Sequence, residues 1–99
     1  MIIVAGTLRV PPASMDALRP HAAAVIKATR AEAGCQVYSF AEDLLEPGLI
    51  RIFEIWETRA HLDAHGKEAH MQPWRDAVKA AGATARDIRV YTAEGGEPI

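Results

Sequence analysis

The chain of 99 residues lacks most of the features that mark specialised classes of protein. It has one cysteine, Cys35, so no intrachain disulfide can form, which is typical of a reducing cytoplasm. Its apolar runs are a few residues long, far short of the roughly 20 that span a bilayer, and its first residues resemble a strand and not a secretion signal. The net charge is −2 and there is no basic stripe, so neither nucleic acid nor a membrane is expected as a partner.

Sequence signatures of cofactor and nucleophile chemistry are also missing. There is no glycine-rich phosphate loop, no CxxC pair, no nucleophile elbow and no flavin or nicotinamide fingerprint. Cys35 follows Gly34 at the start of a predicted strand, where a small core residue is more usual than a nucleophile. An enzyme with this sequence would have to work without a cofactor held by a known motif.

Hydrophobic patterning predicts one α+β domain with a ferredoxin-like split βαβ fold, in which helices cover one face of an antiparallel sheet. Ser14 and Thr58 are expected to cap helices, and Pro20 is expected to kink or delay the first helix. The predicted elements, in order, are a strand over 2–10, a helix from 14, strands over 35–42 and 49–57, helices from 58 and over 69–80, and a strand over 86–93.

The third strand is apolar on both of its faces. Ile50, Ile52 and Trp56 share one parity, and Phe53 and Ile55 share the other. An antiparallel sheet usually has one face in water, so two apolar faces require two covers. So short a chain has too few helices for a second cover, and the sheet of a second copy is the simplest candidate. We therefore expect a homodimer.

Three of the four histidines lie in the segment 53–74. His61 and His65 are four residues apart and could share a metal, with His70 or Glu54 as a third ligand, but the glutamate of an HExxH motif is missing and spacing alone is a weak signal. No metal is therefore expected. Alternatively, His65 and His70 line an organic pocket, where neutral imidazole can take a phenolic proton, or they are structural histidines bonded to backbone carbonyls.

Aromatic and acidic residues of the predicted sheet admit two interpretations as well. Trp56, Trp74 and Phe40 are more often core residues than parts of a binding site. Glu54 lies in the middle of an apolar strand, where an unpaired carboxylate is costly. A structural ion pair is the more common solution, and a position facing a pocket or an interface is the other.

The motif E-x-W-E at 54–57 and the run A-H-L-x-A-H…H-M at 60–71 resemble the antibiotic biosynthesis monooxygenase domain family, most closely its small quinol-monooxygenase members. The likeness extends to TRAEAGCQVYSF and to the final DIRVY, and so covers nearly the whole chain. It implies a domain over 1–93, a flexible tail over 94–99, and a dimeric α+β barrel. The dimer agrees with the two apolar faces of the third strand.

The resemblance also implies an activity: oxidation of a small quinol or polyphenol by O2 without metal or flavin. On this interpretation His65 and His70 would be the catalytic base and hydrogen-bonding groups. The residues expected to bind substrate are Glu54, Trp56, Trp74, Phe40 and Thr7.

Differences from the family's sequence patterns reduce the number of activities expected for this chain. Where the haem-degrading branch has asparagine, tryptophan and histidine, this chain has Thr7, His65 and the pair Trp74–Arg75 at about the matching places, so haem degradation is not expected. The alternatives are an oxygen-independent isomerase, a small-ligand-binding dimer that uses the same pocket, and a dimeric domain with a structural or sensing role.

Overall fold

The computed structural model describes all residues, 1–99, as four strands and three α-helices. In chain order these are β1 (Ile2–Arg9), α1 (Met15–Thr29), β2 (Cys35–Glu42), β3 (Leu49–Trp56), α2 (Arg59–His65), α3 (Met71–Ala80) and β4 (Ala85–Thr92), with a single 3-10 turn at Pro12–Ser14 before α1. None of the helices has both the length and the apolar character needed to cross a membrane.

The strands form one sheet in the order β2-β3-β1-β4, and every neighbouring pair is antiparallel. β1 therefore lies between β3 and β4, and the connections through the helices join strands that run parallel but are not adjacent. This is the ferredoxin-like α+β arrangement that the sequence predicts, so the predicted fold class is confirmed.

The hydrophobic core lies between the helices and one face of the sheet. From the sheet it contains Leu8, Ile50 and Ile52, all of one parity, and these pack on residues of α1 and α3. A second buried cluster joins Val4, Tyr38 and Trp56, with Leu62 of α2 packed against it. Each fully buried aliphatic side chain contributes about 1.5–3 kcal/mol, so this face holds the helices in place.

The opposite face of the sheet has no cover within the chain. Ile3, Ala5 and Ile55 are half-buried there, and Phe53 and Tyr91 are 43% and 50% exposed. The apolar second face that the sequence predicts is therefore present and open in the single chain.

Two local predictions about α1 differ from the structure. α1 begins at Met15 and runs through Pro20 without a break, so a late helix start was wrong. Ser14 occupies the N-cap position but makes no side-chain cap; its hydroxyl instead donates to the carbonyl of Ala81 at 2.8 Å, which joins the start of α1 to the end of α3. Thr58 does cap α2, because its Oγ1 accepts from the backbone N–H of His61 at 3.2 Å.

The turn after α1 is tight, and it places an acidic residue against the second half of the chain. The N–H of Glu32 donates to the carbonyl of Thr29 at 2.9 Å, directly past the helix. Gly34 follows with φ +78°, and a Cβ there would lie 2.2 Å from the ring of His61. Only glycine allows this turn to approach α2 so closely.

Candidate functional site

A cavity of about 560 Å³ lies between the helical face of the sheet and the helices α2 and α3. A volume of this size fits a small organic molecule. Most of its lining residues are hydrophobic, and the others include one glutamate, one histidine and several basic residues. The main wall residues from the sheet are Val4, Leu8, Tyr38, Phe40, Ile52, Glu54 and Ile88, and from the helices Leu62, His65, Met71, Trp74 and Val78.

His65, at the end of α2, is held by the carboxylate of Glu32. Nδ1 of His65 lies 2.8 Å from Oε2 of Glu32, and their side chains are only 6% and 11% exposed. A carboxylate accepts hydrogen bonds, so Nδ1 carries the proton and the neutral ring has its lone pair on Nε2. The pair has the arrangement of a histidine base oriented by a carboxylate.

The second ring nitrogen of His65 is open to the cavity. Nε2 has no hydrogen-bond partner within the chain, yet no fully buried side-chain nitrogen or oxygen is left unpaired, so Nε2 has access to the space that His65 lines. A substrate hydroxyl in the cavity could therefore reach a basic nitrogen whose tautomer is fixed by Glu32.

Aromatic packing fixes the plane of the His65 ring. Its centroid lies 4.8 Å from that of Trp56, at an interplanar angle of 36°, and 5.2 Å from that of Tyr38 in an edge-on arrangement. Trp56 is fully buried, so this contact cannot shift without disturbing the core. The base is thus held from both sides, by a hydrogen bond and by packing.

His70, which immediately precedes α3, shares the same acceptor but not the cavity. Its Nε2 donates to Oε2 of Glu32 at 2.8 Å and lies 3.4 Å from Oγ1 of Thr29. The side chain is 27% exposed and is not part of the cavity wall. His70 therefore shares with His65 the same carboxylate oxygen of Glu32, but it is not a lining residue of the cavity.

Glu54 is the one carboxylate in the cavity wall. It has no ion pair; its Oε1 accepts a hydrogen bond from Nε1 of Trp56 at 2.8 Å. Burial raises the pKa of the Glu54 carboxyl, and the hydrogen bond from Trp56 only partly opposes this. The common solution expected for Glu54, a structural ion pair, is not found, and the side chain faces the pocket.

Two other titratable groups near the site stay protonated at neutral pH. Burial, followed by the negative charge of Glu54, raises the pKa of the Tyr38 hydroxyl. Burial also raises the pKa of the Cys35 thiol, with Glu32 adding to the effect. A thiol with a raised pKa is a poor nucleophile, which agrees with the structural interpretation of Cys35.

One group of residues has the chemistry to hold a metal ion. The ligand atoms of Glu32, His65 and His70 all lie within 4.8 Å of one another, and two imidazoles with a carboxylate suit a divalent transition metal. The pair considered from spacing does not form, since Nδ1 of His61 lies 2.8 Å from the hydroxyl of Thr58 instead. The nitrogen–oxygen distances of 2.8 Å in the group are those of hydrogen bonds, and a metal would have to displace them.

The structure distributes the residues predicted from the sequence over three places. His65, Glu54, Trp74 and Phe40 line the cavity, and the rings of Phe40 and Trp74 pack at 5.2 Å. Trp56 and His70 are not lining residues. Trp56 donates a hydrogen bond to Glu54, which faces the cavity, and His70 donates one to Glu32, which orients His65. Thr7 has the parity of Ile3 and Ala5 and lies away from the cavity, on the open face of the sheet.

Sequence reasoning missed Glu32, which joins both histidines. It lies 33 residues before His65 in a short turn, and nothing in its neighbours sets it apart from the other acidic residues. It also missed the basic residues of the wall, Arg75 and Lys79 of α3 and Arg86 of β4. The spacing of four between Arg75 and Lys79 could have placed these two on one helix face.

Comparisons with known proteins agree with this fold. The family model described as antibiotic biosynthesis monooxygenase matches residues 1–77. The chain is similar to a protein of Deinococcus radiodurans whose structure is named as a candidate antibiotic biosynthesis monooxygenase, with a TM-score of 0.92, 31% identity, and coverage of 100% of this chain and 98% of the other. A protein of Mycobacterium tuberculosis matches with a TM-score of 0.85 and 27% identity over 98% of both chains.

An uncharacterized protein of Synechocystis is 31% identical over 90 residues, which are 91% of this chain. The chain spans 61% of the length of that relative. A family model that matches more than three quarters of the chain, together with structural relatives that cover nearly all of it, makes the assignment plain. The chain belongs to the antibiotic biosynthesis monooxygenase family.

Proposed function

We propose that the protein is a cofactor-free monooxygenase that oxidises a small quinol or polyphenol with O2. The observation that carries the proposal is the pair Glu32–His65, in which a histidine oriented by a carboxylate opens onto a largely apolar cavity. Family membership supports a monooxygenase-like role, and the structural relative named as a candidate monooxygenase has the same fold.

His65 would begin the reaction as a general base. Its Nε2 takes the proton of a substrate hydroxyl, and Glu32 stabilises the imidazolium that forms. The deprotonated quinol is electron-rich enough to reduce O2, so the electrons come from the substrate. One oxygen atom enters the ring and the other leaves as water, and a quinol becomes a hydroxyquinone with no external reductant.

The remaining wall residues suit this chemistry. The apolar side chains that surround His65 exclude water, which strengthens charge interactions with the bound substrate. Burial raises the pKa of Glu54, so its carboxyl takes up a proton more readily than an exposed one, and in that form it can donate a hydrogen bond to a second substrate oxygen. His70 positions Glu32 and does not contact substrate.

The protein would act as a homodimer in the cytoplasm. The open face of the sheet, with Phe53 and Tyr91 about half exposed, is the surface expected to meet a second copy. A chain of 99 residues buries only a limited share of its surface by itself, so covering this face with a second copy would add stability. The single cysteine is consistent with a reducing compartment.

A second candidate function rests on the same wall. A histidine base and a carboxyl with a raised pKa, both lining one cavity, are the pair that a proton-transferring isomerase needs. Such an enzyme would not consume O2.

Measuring oxygen consumption with a panel of hydroquinones distinguishes the monooxygenase from the isomerase. We expect O2 uptake that matches product formed, one atom of 18O from 18O2 in the product, and no turnover under anaerobic conditions. His65→Ala should abolish the activity, and His21→Ala, at an exposed position of α1, should leave it unchanged. Turnover that continues without oxygen would favour the isomerase, and no turnover of any quinol in the panel would contradict the monooxygenase.

A further inference from the structure

Three cations lie at the outer part of the cavity wall. Arg75 and Lys79 are one turn apart on α3, and Arg86 is on β4, where its parity points it toward the helices. All three are exposed, in contrast to His65 and Glu54, which are 5% and 7% exposed. The cavity therefore has a buried end with acid–base groups and an outer end with positive charge.

None of these three cations has an acidic partner within the chain. No carboxylate lies within 4.0 Å of their charged atoms. Arg75 donates one hydrogen bond to the carbonyl of Gly66 at 2.6 Å and keeps its other N–H groups free. Arg89 also touches the cavity, but it pairs with Asp87 at 3.0 Å and is not counted with them.

The local charge is opposite to that of the whole chain. The chain has a net charge of −2, and Glu54, at the buried end, is the only acidic residue of the wall. Unpaired cations are common on protein surfaces, where each points into water by itself. Here three line one largely apolar cavity, and a low-dielectric wall focuses their field on what enters it.

We propose that Arg75, Lys79 and Arg86 bind an anionic oxygen group, a carboxylate or a phosphate, on the aromatic substrate. The inference rests on the proposed function, because it uses the same cavity and places the aromatic part of the substrate beside His65. The planar guanidinium groups of the two arginines match the paired oxygens of such an anion, and Lys79 adds a point charge. The substrate class is thus a quinol or polyphenol that also carries a carboxylate or a phosphate group.

A matched set of unreactive ligands tests this without any turnover. 2-Naphthoate, 2-naphthyl phosphate and the neutral 2-naphthamide share one ring system, and their binding can be followed by quenching of tryptophan fluorescence, since Trp74 lines the cavity. The anions should bind about 5- to 30-fold tighter than the amide at low salt, as expected for one or two partly exposed charge contacts. The advantage should shrink as salt is added, because salt screens exposed charges. Whether naphthoate or naphthyl phosphate binds more tightly distinguishes a carboxylate substrate from a phosphate.

The double variant Lys79→Gln with Arg86→Gln should bring the anions and the amide to nearly equal affinity and leave the amide unchanged. The control, Lys27→Gln with Lys67→Gln, removes the same charge from exposed positions outside the cavity wall and should keep the preference. Three results would overturn the proposal. They are equal affinities for the anions and the amide in the unaltered protein, no binding of any of the three ligands, and an unchanged anion preference in the double variant.

The double variant also tests the competing explanation that these cations pair with acidic residues of a second copy. In that case the variant would lower the mass measured by light scattering and keep the anion preference, which also overturns the proposal. The outcome is independent of the proposed reaction: selective binding of the anions without O2 uptake from any quinol would remove the monooxygenase activity and leave the anion site standing.

Discussion

His65 and Glu32 lie 33 residues apart in the chain, and their side chains meet at 2.8 Å beneath the cavity. The contact joins the turn after α1 to the end of α2. It fixes both the tautomer and the plane of the imidazole, and Trp56 holds the ring from its other side. A histidine in this setting has one nitrogen committed to the protein and one left for a ligand.

Glu32→Gln should lower the quinol oxidation rate by about 10²- to 10⁴-fold, the range associated with a positioned general base. The amide keeps the shape of the side chain but can present its NH2 group to Nδ1, which would favour the wrong tautomer of His65. Steady-state kinetics should show the loss in kcat with little change in KM. Glu68→Gln, an exposed change next to the same helices, is the matched control, and activity in Glu32→Gln within twofold of that control would rule out the role of Glu32.

His70→Ala should reduce activity much less than His65→Ala. His70 bonds the same oxygen of Glu32 as His65 does but does not line the cavity, so its loss removes one hydrogen bond to the carboxylate and no contact with substrate. Removing that bond destabilises the fold by about 1–3 kcal/mol. Parallel measurements of kcat and of urea denaturation check this, and equal rate losses in the two variants would mean that His70 itself takes part in the reaction.

Glu54→Gln should stabilise the fold at neutral pH and not at acidic pH. Because the pKa of Glu54 is raised in the folded state, the folded protein binds more protons than the unfolded chain between the ordinary value of 4.5 and the raised one. The wild type therefore loses stability as the pH rises through this window, whereas glutamine has no charge to bury. Urea denaturation at pH 4 and pH 7 should show a gain for the variant only at pH 7; a gain that is equal at both would contradict the assignment. Glu57→Gln, an exposed change close by, serves as the control.

Treatment with EDTA should leave the oxidation rate unchanged, because the proposed base needs the hydrogen bond from His65 to Glu32 and no metal. Added Zn2+ should instead inhibit, since binding to Glu32, His65 and His70 would displace the proton on Nδ1. Oxygen uptake measured before and after chelation, with metal content determined on the same samples, checks both statements. Loss of activity on chelation, with recovery on adding back one metal, would show that the same residues form a catalytic metal centre.

Phe53→Glu should convert the expected dimer into a monomer. Phe53 is 43% exposed at the middle of the open sheet face, and a carboxylate buried in a dimer interface there would be left without a partner. Light scattering at micromolar concentration should give the mass of a dimer for the wild type and of a monomer for the variant. Lys27→Glu, on the exposed side of α1, is the control. A monomeric wild type would refute the predicted dimer directly.

Most of the fold could be predicted from the sequence, because the signals for it are local. Alternating apolar residues set the strands, Thr58 set the start of α2, and the doubly apolar strand β3 indicated a second uncovered face. The two exceptions have a tertiary cause instead. Pro20 lies within α1 because a single missing hydrogen bond does not end a helix that packs well on the core, and Ser14 bonds to Ala81 because α3 ends beside it.

The site was only partly predictable. The histidine-rich segment 53–74 and Glu54 could be singled out because a carboxylate in an apolar strand needs an explanation. Whether Glu54 would meet an arginine or a cavity depended on what packs above β3, which no spacing in the sequence reveals. The i,i+4 pair His61–His65 was a misleading signal, because the cap at Thr58 engages the first of the two rings.

The sequence by itself determined the elements, their order, the apolar faces and the family, since all of these follow from patterns over neighbouring residues. Only the tertiary structure decided that Glu32 belongs with His65, that Thr7 lies on the opposite side of the sheet, and that Arg75, Lys79 and Arg86 share one opening. These relationships join residues from different elements. They depend on how the turn after α1, the two short helices and the edge strand β4 pack around the same face, and packing over such distances leaves no periodic trace in the chain.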